Sequence, residues 1–371
     1  MSKYPDYLND EQIEAMGAEI QAIRDEVMSD LGERDVRYMK RVIFVQQVFE
    51  ILGRLGIFAG ILYPVIWVFA VISLGLSKIL ENMEVGHNIM HSQFDWTNDP
   101  KLKGKDYEWD NVCPASSWRQ THNYMHHTYT NIEGLDKDLG YDGMFRVCDE
   151  QEWKPEFRYQ MLIGVFIMLS FQNAVALHEL GVDDIRDGKR THKEAWHIFK
   201  PIGWKMFRQI MKEFVLIPAI AVGGAFLFAP ELMWQAYWMT ALGALLANII
   251  RNVWAFLVIF CGHFTEGAHT FPQGTEINET KAGWYYRQML GSCNIEGGAL
   301  MNVMTGNLSH QIEHHLFPDM PANRYKEVAP KIQAIAKKYG VPYDTGTFGN
   351  QLKSVYRRLK HYSKPPEEVA A

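Results

Sequence analysis

The chain has 371 residues, of which 47% are hydrophobic and 13% aromatic, and such a composition excludes a disordered chain. A formal net charge of -6 excludes the concentrated basic surface that nucleic acid binding requires. Cys113, Cys148, Cys261 and Cys293 form no CxxC pair, which excludes a thiolate zinc site and a disulfide framework. With 22% charged residues and a mean hydropathy of -0.19, the chain is too polar for a pure transport bundle and suits division between bilayer and cytosol.

In chain order, residues 1–38 are polar and acidic and lack the apolar core of a signal peptide. They read as a cytosolic arm whose helix begins near Glu11, capped by Asn9 or Asp10. The expected division is an arm over 1–40, a membrane unit over 41–350 and a cytosolic tail over 351–371. Ile57 to Ser77 carries no charge, and the apolar character reaches back to Val42, broken by Glu50 and Arg54. A spanning helix needs about 20 apolar residues. Pro64 disfavours helix at Tyr63, so two spans are expected, about 42–62 and 65–85. A single kinked span over 57–77 is the competing reading. Further apolar segments cover 161–180, 214–230 and 234–262, the last containing Arg251. The charged stretch from Asp183 to Lys200 must stay in water, and residues 92–160 and 264–371 are too polar to cross.

Eight of the 14 histidines fall into three boxes: His87-Asn-Ile-Met-His91, His122-Asn-Tyr-Met-His126-His127 and His310-Gln-Ile-Glu-His314-His315. On a helix, residues i and i+4 share a face, so two imidazoles of a box can ligate one metal. Adjacent histidines diverge by about 100° around the axis, which suits two ions a few ångströms apart better than one. Two His-His pairs therefore predict a dinuclear site. Imidazole accepts several transition metals, but four ligands saturate a structural zinc. An all-nitrogen shell of this size fits two iron ions working with O2.

All three boxes must share one side of the membrane. Two antiparallel spans return the chain before box one, and no apolar segment separates boxes one and two. Three segments precede box three, and an odd number of crossings would strand it. The segment 161–180, flanked by charge, is therefore expected to lie in the interface, leaving spans at 214–230 and about 234–260. The same parity brings His263 to the depth of box one as a further ligand. His178 reads as a supporting rather than a ligating residue, and His192, His197, His269 and His361 as solvated. The expected fold is all-α and integral to the membrane: four spans in two hairpins, with interfacial helices and a cytosolic helical cap carrying the metals.

At these boxes the sequence resembles the membrane fatty-acid desaturase superfamily. The stretch Gly306-Asn-Leu-Ser-His-Gln-Ile-Glu-His-His-Leu-Phe-Pro318, with Met320-Pro-Ala-Asn-Arg-Tyr-Lys-Glu-Val-Ala-Pro330, is similar to front-end desaturases. Boxes one and two resemble those of bacterial acyl-CoA desaturases. The likeness covers roughly residues 33–350. The sequence departs from it in lacking the fused His-Pro-Gly-Gly haem motif. In addition, the family's third box often begins at glutamine, here Gln311, whereas His310 offers the i, i+4 ligand and is preferred.

The resemblance implies a histidine-ligated di-iron centre that uses O2 to place a cis double bond in a long acyl chain. Acyl-CoA desaturated at the delta-9 position is the first expectation, with acyl-lipid as the alternative. Electrons would come from NAD(P)H through a separate ferredoxin, rubredoxin or reductase. The resemblance places the site in a bacterial inner membrane, with the N-terminus, boxes and C-terminus cytosolic. The expected iron ligands are His87, His91, His122, His126, His127, His263, His310, His314 and His315. Glu84, Asp136, Asp138 and Glu313 are candidates to accept the second imidazole N–H. Trp118, Trp254 and Trp284 are candidate tunnel walls.

Three rivals are weaker. A hydroxylase, ketolase or acetylenase would use the same iron site. A ferritin-like protein would use Glu-x-x-His pairs, which occur at Glu84, Glu194 and Glu266 but leave the His-His pairs unexplained. A metal transporter would carry its ligands inside the spans.

Overall fold

The computed structural model describes residues 3–181, 184–185 and 188–366, so the stretch from Asp183 to Lys200 and the C-terminal tail lie partly outside them. Helix α1 (Asp10–Ser29) starts where Asn9 and Gln12 form a reciprocal capping box, each side chain bonding the other's backbone N–H at 2.9–3.0 Å. Ile13, Met16 and Ile20 fall on one helical face and are buried. At Gly17 a Cβ atom would lie 2.3 Å from the Ala282 Cβ, so glycine permits the close approach. The expected arm is thus packed into a core.

Helix α2 (Glu33–Gly60) runs unbroken through residue 40. Its buried Asp35 takes a bidentate ion pair from Arg324 at 2.5 and 2.7 Å, tying the helix to the segment after box three. Tyr63 leaves helical geometry (φ -129, ψ 89), and Pro64 opens α3 (Pro64–Met90) at the position where its missing N–H costs nothing. Close approaches pair Gly53 with Leu74, Gly56 with Ala70 and Gly60 with Trp67, so α2 and α3 lie antiparallel. Within α3, a π-helical turn over Leu80–Gly86 re-aims the chain just before His87. A second such turn, Arg119–His126, lies within α4 (residues 115–129) and carries box two.

The segment expected at the interface forms α5 (Gln160–Leu169) and α6 (Phe171–His178), bent by 105°. Ten and eight residues rise about 15 and 12 Å, too short for either helix to cross a bilayer. Next come α7 (His192–Phe228), with Pro201 in its interior, and α8 (Met233–His263). The four helices α2, α3, α7 and α8 are long and apolar enough to cross a membrane. Their outer faces leave Leu55, Phe69, Leu227 and Trp234 more than 60% exposed, a surface that needs lipid to cover it. Three of the charges inside these helices meet: Arg54 grips Glu213 at 2.6 and 2.7 Å, and Lys78 lies 3.4 Å from the same carboxylate.

The polar remainder folds as α9 (Lys281–Leu290), α10 (Gln311–Leu316), α11 (Tyr325–Tyr339) and α12 (Phe348–Tyr362). Strands β1 (Asn294–Glu296) and β2 (Thr345–Thr347) pair in parallel, Asn294 opposite Thr345. One buried cluster joins Met16 and Ile20 of α1 to Tyr285 and Met289 of α9, Ile312 and Leu316 of α10, and Tyr325 and Ile332 of α11. The N-terminal helix and box three therefore share a core.

Candidate metal centre

The ends of α3 and α8, box two and α10 meet at one place. His87, His91, His122 and His314 offer ring nitrogens that all lie within 4.8 Å of one another, and so do His126, His263 and His315. His127 faces both groups, its ring centroid 4.7 Å from that of His314 and 4.5 Å from that of His315. His314 joins one group and His315 the other, and both also lie within 4.8 Å of His127. His263 stands among them, its Nε2 3.3 Å from the His315 Nε2.

His310 does not. Asn307 adopts φ +58 and opens a 3-10 turn over Leu308–His310, while α10 starts only at Gln311. His310 therefore sits at φ -106, ψ 58 before the helix, and the i, i+4 relation to His314 has no helical basis. Its Nδ1 lies 3.9 Å from Glu313, and it belongs to no histidine group among the described residues. The amide of Gln311 instead reaches 2.9 Å from the His263 Nε2. His178 donates from Nε2 to the Lys137 carbonyl at 2.9 Å and also joins no group.

Hydrogen bonds fix the ring orientations. His126 Nδ1–H donates to Asp136 at 3.0 Å, and His122 Nδ1–H points to Asp138 at 3.4 Å. His87 Nδ1–H donates to Asn88 Oδ1 at 3.1 Å, His315 Nδ1–H to Gln288 Oε1 at 2.9 Å, and His314 Nδ1–H faces the Tyr325 hydroxyl at 3.4 Å. With Nδ1 protonated, Nε2 keeps its lone pair. The Nε2 atoms of His91, His122 and His314 are buried without a protein partner. Such orphaned, convergent bases are what a metal would satisfy.

Of the four carboxylates singled out in the sequence, Asp136 and Asp138 face imidazoles. Glu84 binds Asn307, and Glu313 binds Asn294 and Tyr343. Gln288 and Tyr325 carried no histidine-box signal. Gln288 gives itself away only as a buried polar residue four positions after Trp284, and both donate to the His127 carbonyl at 3.1 Å.

Burial, reinforced by neighbouring imidazoles, holds His127, His314 and His315 well below the ordinary histidine range. Burial also lowers His122 against the pull of Asp138. His126 is buried too, but the charge of Asp136 and its hydrogen bond outweigh that effect and raise it. Neutral imidazole is the ligating form, so the low values suit metal binding.

A slot opens beside the histidines. His87, His122, His126, His263 and Gln311 line it together with Met83, Phe171, Val175, Ala255 and Ile259. Trp118 lines it and stacks on His122 with ring centroids 4.4 Å apart. Trp254 and Trp284 lie elsewhere, donating to the carbonyls of Met304 and His127.

The family model for fatty acid desaturases matches residues 62–347. This chain belongs to the fatty acid desaturase family. An NADPH-dependent stearoyl-CoA 9-desaturase of Mycobacterium tuberculosis is 41% identical over 359 residues, covering 97% of this chain and 82% of that protein. A sn-1 linoleoyl-lipid 6-desaturase of Synechocystis is 24% identical over 336 residues, covering 88% of each. The human fatty acid desaturase 3 matches at 37% over 101 residues, 25% of this chain and 23% of that protein. Four apolar helices in a fatty acid desaturase make this a membrane protein, and its histidine groups are compatible with a metal site.

Proposed function

We propose that the protein is an acyl-CoA desaturase acting at the delta-9 position, with His87, His91, His122, His126, His127, His263, His314 and His315 holding two iron ions. Gln311, rather than His310, completes the ring of polar groups facing them. The observation that carries this reading is the convergence of two histidine groups, with orphaned Nε2 atoms, beside a largely apolar slot. The acyl-CoA and delta-9 assignment draws on the mycobacterial relative.

The chemistry supplied by bound iron is activation of O2 for removal of two vicinal hydrogens, with two electrons from NADPH and both oxygen atoms leaving as water. The chain's own residues prepare this. Asp136, Asp138 and Gln288 hold the imidazoles in the tautomer that presents Nε2. Phe171, Val175, Ala255 and Ile259 exclude water and align the methylenes by shape. Trp118 packs against His122 and blocks its rotation. Electrons enter through a separate redox protein of ferredoxin, rubredoxin or reductase type. The spans form two hairpins that place both termini and the histidines at the cytosolic face of a bacterial inner membrane.

Expression with an NADPH reductase and ferredoxin, in a bacterium whose acyl chains are saturated, tests the proposal. Mass spectrometry should locate new cis double bonds between carbons 9 and 10. Hydroxylated chains would replace desaturation with hydroxylation, and unchanged chains despite measured iron loading would sink the reading.

A further inference from the structure

Arg34, Arg37 and Arg41 follow at intervals of three and four residues, so they share one face of α2. With Lys326, in the first turn of α11, they line an open basin of about 380 Å³. The basin has no lining residue in common with the slot beside the histidines. It sets four cations against one carboxylate, Glu327, and that carboxylate is already taken. Its Oε2 lies 3.2 Å from both Arg34 and Arg324. Arg34 is committed to it and to Asp30, whereas Arg37 has only the exposed Glu33 at 3.7 Å. Among the described residues, no carboxylate pairs with Arg41 or Lys326. Surplus positive charge gathered in one hollow calls for an anion.

The place of the basin in the fold points to the source of that anion. Nineteen residues of helix separate Arg41 from Gly60, the far end of α2, which is roughly 28 Å. The hydrocarbon core of a bilayer is about 30 Å thick, so Arg41 stands at head-group level when α2 spans it. Past Arg41 the same helix face turns apolar through Phe44, Leu52 and Leu55, each more than half exposed. Cations followed by exposed apolar surface match the phosphate and the acyl tail of one lipid. A soluble anion needs only the first.

The basin also touches the support of box three. Its second wall, Asn323 and Lys326, flanks Arg324 and Tyr325 in sequence. Asn323 Nδ2 donates to Asp35 of α2 at 2.8 Å, and the Tyr325 hydroxyl faces His314. An anion held by Arg41 and Lys326 together draws α2 against this segment.

We propose that the basin binds the phosphate of an anionic phospholipid through Arg37, Arg41 and Lys326, and that the bound lipid braces the segment after box three. The site is separate from the slot, and the proposal stands or falls independently of the desaturase reading.

The test uses the full-length protein in detergent. Retention of phosphatidylglycerol and of phosphatidylcholine is read by native mass spectrometry and by the rise in melting temperature. The parent is compared with Arg41→Gln, with a variant carrying Arg37→Gln, Arg41→Gln and Lys326→Gln together, and with Lys337→Gln. Lys337 lies in the last turn of α11 and outside the basin. The parent should retain phosphatidylglycerol in preference to phosphatidylcholine. Each lost basin cation should weaken that retention roughly fivefold, and the triple variant by roughly a hundredfold. Lys337→Gln should keep the parent's affinity. Hydrogen exchange in the first turns of α11 should slow when phosphatidylglycerol is added to the parent and not to the triple variant. Equal stabilisation by inorganic phosphate would make this a soluble-anion site and overturn the lipid assignment. Undiminished phosphatidylglycerol retention in the folded variants would overturn the basin itself, and unchanged exchange in the lipid-bound parent would overturn the bracing. If the triple variant does not fold, Arg41→Gln, at an exposed position, decides alone.

Discussion

Boxes two and three present the same His-His chemistry on different supports. In box two the rings lean on carboxylates: Asp136 holds His126 and Asp138 faces His122. In box three they lean on neutral groups: Gln288 holds His315 and the Tyr325 hydroxyl faces His314. A carboxylate makes its imidazole a stronger base and a better donor to a cation, but also an easier target for protons. An amide or hydroxyl fixes the tautomer without that cost. The contrast shows at His126, raised by Asp136, while His314 and His315 fall well below their usual range; at His122 burial outweighs Asp138 and lowers the ring. One centre thus combines basic ligands with ligands that resist protonation.

The strongest challenge to this comparison is removal of a ring from each support. His126→Ala and His315→Ala share a group and should each lower bound iron by about one equivalent and abolish desaturation, read by metal analysis and product assay. Unequal metal loss would show that the two supports do not serve one ion.

The supports themselves come next. Asp136→Asn should weaken iron retention or turnover by roughly 10- to 100-fold. It would also loosen Asp136's bonds to the backbone N–H groups of Asn131 and Asp138. Gln288→Leu should cost less, because Thr130 Oγ1 also lies 3.3 Å from His315 Nδ1. Chelator competition gives both numbers, and an equal or reversed order would break the distinction.

The smallest effect is on pH dependence. His122, His127, His314 and His315 are lowered, so between their folded values and about 6.5 the folded chain binds fewer protons than the unfolded one. Stability from these groups is therefore lost as pH falls below about 6.5. The raised His126 has the opposite sign, as does Glu313, pushed up to about 7 by burial. The lowered histidines are the more numerous, so the metal-free protein should melt at lower temperature at pH 5.5 than at pH 7.5. Asp136→Asn removes the stabilising opposite sign at His126 and should steepen that fall.

Much of this protein was legible in its sequence wherever the signal is local. Asn9 caps α1 because a side chain three residues from Gln12 reaches its backbone. Pro64 divides α2 from α3 because proline restricts the residue before it. The gathering of His87 with His91 in one group and the parting of His314 from His315 agree with helical periodicity, whereas His122 and His126, on a π-helical turn, fall into different histidine groups. Crossing parity led to His263, and its ring lies with those of His126 and His315. What sequence could not decide depends on where helices start and on what lies opposite.

His310 and Gln311 differ by one position, and the left-handed Asn307 and the 3-10 turn after it delay α10 until Gln311. That delay excludes His310 from the histidine groups. Glu84 and Glu313 look like Asp136 in sequence but hydrogen-bond Asn307, Asn294 and Tyr343 instead of the grouped imidazoles. Gln288 meets His315 only because α9 packs on box two. A hydrogen bond acts over about 3 Å, so the identity of a partner distant in sequence is set by packing, and only the tertiary structure records it.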